Sequence, residues 1–185
     1  LGKDIIILLL GDQWTTAGTI FAALGPGIGA LVIYNTNVWL HISLGRVDRL
    51  LKWGFLVFGI SIGSYSLGLL FGPLGVAVAY SVMFYVLLIP ALSYAGRPLG
   101  IGPDFFIAIL WKYFVSALAA GSLFWIVFRL GGPTALFYEN ANRTTRLAIG
   151  IFSYPPLYLS SIIMIHRGIK PIRLVISLVR EMFGR

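Results

Sequence analysis

Four long apolar runs, and a fifth that is shorter and looser, fill most of the 185-residue chain, and nearly every charge falls between them. The runs are residues 20–42, 54–71, 74–95, 105–128 and 147–165. Apart from His41 near the end of the first and Lys112 near the start of the fourth, they hold no ionisable acid, base or histidine. About 20 residues at a rise of ~1.5 Å each cross a hydrocarbon core ~30 Å thick. The pattern predicts an all-α polytopic membrane protein with about five transmembrane helices. Composition agrees: 58% of residues are hydrophobic and 11% charged, where a soluble domain has about a quarter charged.

The formal charge of +8 does not point to nucleic acid, because no basic cluster is interleaved with aromatics outside an apolar run. Position gives the charges another meaning. Arg46, Arg49 and Lys52 follow the first run, Arg97 and Lys112 flank the start of the fourth, and Arg167, Lys170, Arg173, Arg180 and Arg185 follow the fifth. The alternate segments hold only Lys3, Arg129, Arg143 and Arg146. Ten against four, alternating with each crossing, is what the positive-inside rule expects. The chain is therefore expected to begin outside and end in the cytoplasm. Single cysteines at Thr16 and Ser177 are expected to be labelled from opposite sides. Residues 1–166 form the helical bundle in this reading. Residues 167–185 form a cytoplasmic amphipathic tail, with Arg173, Ser177 and Arg180 on one face against anionic headgroups. The chain has no cysteine, which excludes disulfides. Its opening on Leu1-Gly2-Lys3 leads to the expectation of a C-terminal portion of a longer protein.

Several positions interrupt the runs. Pro26 in Gly25-Pro26-Gly27 should bend the first, because proline removes one intrahelical bond and crowds the preceding turn. Asn35, Thr36 and Asn37 lie together farther along. Successive helical positions are ~100° apart, so the two asparagines cannot face one neighbour. Either a polar lumen satisfies them or bonds to adjacent helices do. Gly59-x-x-x-Gly63 offers a face for close helix approach, and Gly72-Pro73-Leu74-Gly75 is so short that the second and third runs must form an antiparallel hairpin. Asp104 is placed to cap a helix starting at Phe105. Pro155-Pro156 should kink or break the fifth run, and residues 129–146 make the longest hydrophilic loop, with an Asn142-Arg143-Thr144 acceptor pattern.

No paired carboxylates, phosphate loop or zinc motif is visible, and His41 and His166 each sit where a run meets water. An enzyme, a cofactor or a metal is therefore not expected. Proline-bent spans, a polar triplet and a basic collar are features of a pathway, with Asn35, Thr36, Asn37 and Pro26 as candidates for lining or gating it. Arg46, Arg49, Lys52, Arg97 and Lys112 are candidates for contacting anionic phosphates or headgroups.

Four stretches in order carry a resemblance: LLLGDQW at 8–14, LGRVDRLLKWG at 44–54, FGPLGVAVAYS at 71–81 and LIPALSYAGRPLGI at 88–101. They resemble the C-terminal half of Wzx-like oligosaccharide flippases of the MOP exporter superfamily. Beyond Arg129 the likeness is one of hydropathy alone. The resemblance implies most of the C-terminal bundle of a two-bundle exporter in the bacterial inner membrane, completed by an N-terminal bundle of the same protein and working by alternating access. It implies flipping of undecaprenyl-pyrophosphate-linked oligosaccharide for O-antigen, lipopolysaccharide, capsule or exopolysaccharide assembly, with a glycan polymerase as a partner. A multidrug exporter of the same superfamily and a membrane-embedded glycan polymerase or ligase are the alternatives.

Overall fold

Inside lipid a segment must satisfy its own backbone polar groups, so long apolar runs become helices and their irregularities need partners from within the protein. A computed structural model of the chain describes residues 2–166 together with Gly168, Arg173, Ser177, Arg180 and Glu181. Most of the tail expected over 167–185 lies outside the described residues. Among the described residues all regular structure is helical, with five helical segments long and apolar enough to cross a membrane: Asp12–Ser43, Val47–Leu69, Gly72–Leu99, Pro103–Arg129 and Arg143–Ile165. These match the five predicted spans but extend beyond them at several ends. Charged residues such as Arg49, Lys52 and Arg143 lie within the first two turns of the helices, so an uncharged run underestimates helix length.

The chain divides into two compact units, Leu1–Ile107 and Ala108–Arg185. The first contains α1 (Gly2–Leu10), α2 (Thr15–Tyr34), α3 (Thr36–Ser43), α4 (Val47–Leu69) and α5 (Gly72–Gly96). Helix α5 is its centre and packs against α2, α3 and α4. Its residues Ala77, Ser81, Phe84, Leu88, Ala91 and Ala95 are all buried, at three- and four-residue spacings that keep one stripe of a helix turned inward.

Helices α4 and α5 form the antiparallel hairpin that the four-residue connection requires. Gly68 lies against Gly75 and Val76, Ser64 Oγ donates to the Ala79 carbonyl, and Ser61 meets Met83 farther down. The close approach is made by Gly68 and Gly75, where an added Cβ would strike backbone of the facing helix. Gly59 and Gly63, expected to provide it, have nothing within 4 Å of an added Cβ and are exposed. Spacing identified small residues but not which of them face protein. Helix α1, at nine residues too short to span, runs antiparallel beside α2, with Gly2 against Ala22 and Lys3 against Gly18.

The second unit contains α6 (Pro103–Arg129) from Ala108 onward, α7 (Pro133–Asn140) and α8 (Arg143–Ile165). The Tyr154 hydroxyl of α8 lies 3.3 Å from the Ala117 carbonyl of α6, and His166 packs against Tyr113. Part of the expected loop is α7, held to α6 by Tyr138 against Phe124 and Phe128 and by Thr134 Oγ1 donating to the Val127 carbonyl. Asn142 caps α8, its side-chain oxygen accepting from the Thr145 N–H and hydroxyl. Helix α6 starts at Pro103, so Asp104 lies within its first turn, where a carboxylate favours the helix dipole, and does not precede it as a cap. Pro155 and Pro156 leave α8 continuous.

Candidate functional site

The first span departs from a regular helix at two places, Pro26 and Asn35, and both border α5. At Pro26 the helix continues, but the rung that follows has an outside partner. Ser81 Oγ of α5 accepts from Gly27 N–H at 3.2 Å and donates to the Ala23 carbonyl at 2.6 Å. Only glycine permits this approach, because a Cβ at position 27 would lie 2.6 Å from Ser81 Cα.

At Asn35 the helix breaks into α2 and α3, and the hydrogen bonds give the cause. Asn37 Nδ2 donates to the Tyr34 carbonyl at 2.6 Å, the acceptor that Val38 N–H would use in a regular helix. Val38 N–H turns instead to the Asn35 carbonyl at 3.0 Å. A side-chain amide competing with the backbone thus shifts the ladder from four-residue to three-residue spacing. Helix α3 ends four residues before α4 begins, and Gly45 at φ +64° makes the turn. Arg46 N–H donates to the His41 carbonyl and Gly45 N–H to the Ile42 carbonyl, the paired bonds of a left-handed helix stop.

Between these two elements and α5 lies a polar and aromatic cluster. Asn37 is 0% exposed and His41 1%. Trp53 of α4 donates from Nε1 to the Tyr34 hydroxyl at 2.8 Å, and the Tyr34 ring meets Phe84 edge-on. Tyr94 of α5 is the shared surface. Trp53 stacks on it at 5.4 Å between centroids, His41 lies 5.7 Å away, and the Arg49 guanidinium is 4.4 Å from its ring centre. Arg49 also donates to the Tyr94 carbonyl at 2.8 Å. A cleft of ≈ 410 Å³ opens beside Trp53 and Tyr94, with Pro90 and Ser93 in its wall and Arg97 among its lining residues.

The predicted residues are therefore separated by the fold. Asn35 and Thr36 are exposed while Asn37 is enclosed, and Pro26 is exposed on α2. Arg49 is half-buried on Tyr94, and Arg97 lies at the neighbouring cleft. Arg46 and Lys52 are exposed, and Lys112 is half-buried in the second unit, its carbonyl accepting from Ser116 Oγ. Sequence reading placed His41 at a water boundary, whereas packing by its neighbours encloses it. A signal for this was present: Tyr34, Asn37 and His41 are spaced three and four apart, the repeat of one helix face. Ser81 and Tyr94 carried no such signal, because their partners lie on other helices.

Among the described residues no group of three or more His, Asp or Glu side chains could hold a metal ion. No family model, curated protein or solved structure matches the chain. Fold and composition make it an all-helical polytopic membrane protein with five membrane-length helices, an architecture consistent with membrane transport.

Proposed function

We propose that the chain forms most of one helical bundle of an exporter that carries undecaprenyl-pyrophosphate-linked oligosaccharide across the bacterial inner membrane by alternating access. The observation that carries this reading is the first span. It carries Pro26 within a continuous helix and breaks at Asn35, and Ser81 of the helix beside it supplies a side-chain partner next to the proline. Interrupted spans are tolerated in membranes where they border protein or a cavity, and transporters use them at their substrate paths. The four sequence stretches named above support the cargo class. Arg49 and Arg97, grouped around Tyr94 and its cleft, supply cations suited to a pyrophosphate at the cytoplasmic mouth. In this reading Asn35, Thr36 and Pro26 serve gating, Arg46 and Lys52 meet headgroups, and the chain is not itself an enzyme.

Deletion of the intact gene in its host tests this. Accumulation of lipid-linked repeat units on the cytoplasmic side, relieved by restoring the gene, is the expected result. Unpolymerised units already outside would instead identify a polymerase. Unchanged glycans with increased drug sensitivity would identify a multidrug exporter.

A further inference from the structure

The two arginines near Tyr94 are not equivalent. Proline at 98 has no N–H, so the Tyr94 carbonyl lacks the donor that a regular helix supplies four residues on. Arg49 takes that place, donating to the Tyr94 carbonyl while its guanidinium lies over the Tyr94 ring. Arg97 is exposed, and among the described residues its side chain has no hydrogen-bond or ion-pair partner. Arg49 is tied to the fold; Arg97 is free.

Arg97 borders the cleft of ≈ 410 Å³ beside Trp53 and Tyr94. The rest of its wall is mainly apolar, with Ile89 and Pro90 of α5 and Pro103 at the start of α6, and no acidic side chain is among its described lining residues. Ser93, one turn before Arg97 on α5, also lines it, and its enclosed hydroxyl has no hydrogen-bond partner. A buried hydroxyl left in this way calls for a partner that the chain does not supply. Apolar walls with a free guanidinium at the edge suit an amphiphile with an anionic head and a hydrocarbon chain. At the end of a membrane-length helix, bilayer lipids are the amphiphiles at hand, and basic pockets between such helices recognise their anionic head groups.

We propose that this cleft holds one anionic phospholipid of the bilayer, its phosphate on Arg97 and the first part of an acyl chain between Trp53, Pro90 and Pro103. Arg49 adds positive potential nearby while it stays on the Tyr94 carbonyl. A lipid seated there touches α4, α5 and the start of α6 together, so its binding stabilises the arrangement of those three ends. The site requires no particular cargo.

The test places the full chain in vesicles of equal parts phosphatidylglycerol and phosphatidylcholine, with one lipid or the other brominated on its acyl chains so that it quenches tryptophan on contact. Trp14, Trp39, Trp111 and Trp125 are replaced by Phe, leaving Trp53 in the cleft wall as the reporter. A second chain keeps only Trp39, which is 72% exposed on α3 and reports the surrounding bilayer. Trp53 should prefer phosphatidylglycerol about fivefold, the effect of one basic residue near anionic lipid, and Trp39 should show a smaller preference. Arg97→Gln should abolish the preference at Trp53, and Arg97→Lys should keep it. Equal quenching of Trp53 by the two lipids, or the same preference at Trp39, overturns the proposal, and both are read with Arg97 in place. A preference that survives Arg97→Gln overturns it too. Relief of the quenching by stoichiometric undecaprenyl pyrophosphate would assign the cleft to a transported lipid instead and likewise overturn the phospholipid site.

Discussion

The two irregular places of the first span, Pro26 and Asn35, are met in opposite ways. At Pro26 the neighbouring helix completes the backbone, with Ser81 both accepting and donating one turn from the proline. At Asn35 the repair is local: Asn37 takes the Tyr34 carbonyl one turn back along the chain, and its amide oxygen and His41 Nε2 are left enclosed without hydrogen-bond partners. The first solution ties α2 to α5 through hydrogen bonds as well as packing. The second leaves polar capacity unused inside the protein. A hinge that moves relative to α5 must break the Ser81 bonds, whereas movement at the Asn35 break leaves those bonds in place.

The strongest perturbation lies outside both breaks and calibrates them. Gly75→Val sets a branched side chain against the Gly68 backbone, where neither helix can yield without separating. A loss of about 3 kcal/mol is expected, read as reduced unfolding stability in bicelles. A loss near zero would show that the hairpin is loosely packed and that neither break is held rigidly from α4.

The contrast between the breaks is sharper in a double-mutant cycle. Ser81→Ala should cost about 1 kcal/mol in the parent chain, near the upper range for membrane hydrogen bonds. It should cost much less in a Pro26→Ala background, where the helix can straighten and close its own rung. Equal costs in the two backgrounds would separate Ser81 from the proline. Asn37→Leu is the smallest expected effect, within about 0.5 kcal/mol. It removes one unpartnered acceptor and returns the Tyr34 carbonyl to Val38 N–H. A large loss would mean that the Asn37 amide has a structural partner beyond Tyr34.

The number of spans, their all-helical nature and the α4–α5 hairpin could be read from run length, charge spacing and a four-residue turn. The interior could not. The triplet Asn35-Thr36-Asn37 announced a polar interruption, but which member turns inward depends on the ladder shift that Asn37 itself causes. Glycines were visible at many positions, yet only backbone placement distinguishes Gly68 and Gly75, in contact, from Gly59 and Gly63, which are open. Helix α7 was hidden because Pro133–Asn140 is polar and short, and it depends on Tyr138 docking onto rings of α6. Of the candidate cations, Arg49 proved to be engaged with Tyr94, an interaction across 45 residues that no local pattern encodes.

Asn37 and His41 turn into the protein while Asn35 and Thr36 turn out of it. Nitroxide labels placed singly at these four positions of the cysteine-free chain, in lipid, measure this directly through collisions with oxygen and with a water-soluble nickel chelate. Positions 37 and 41 should be immobilised and show low collision rates with both probes, while 35 and 36 collide freely with at least one. A label at 37 that meets the nickel chelate as often as one at 35 would place that residue in an aqueous lumen and contradict the enclosed cluster.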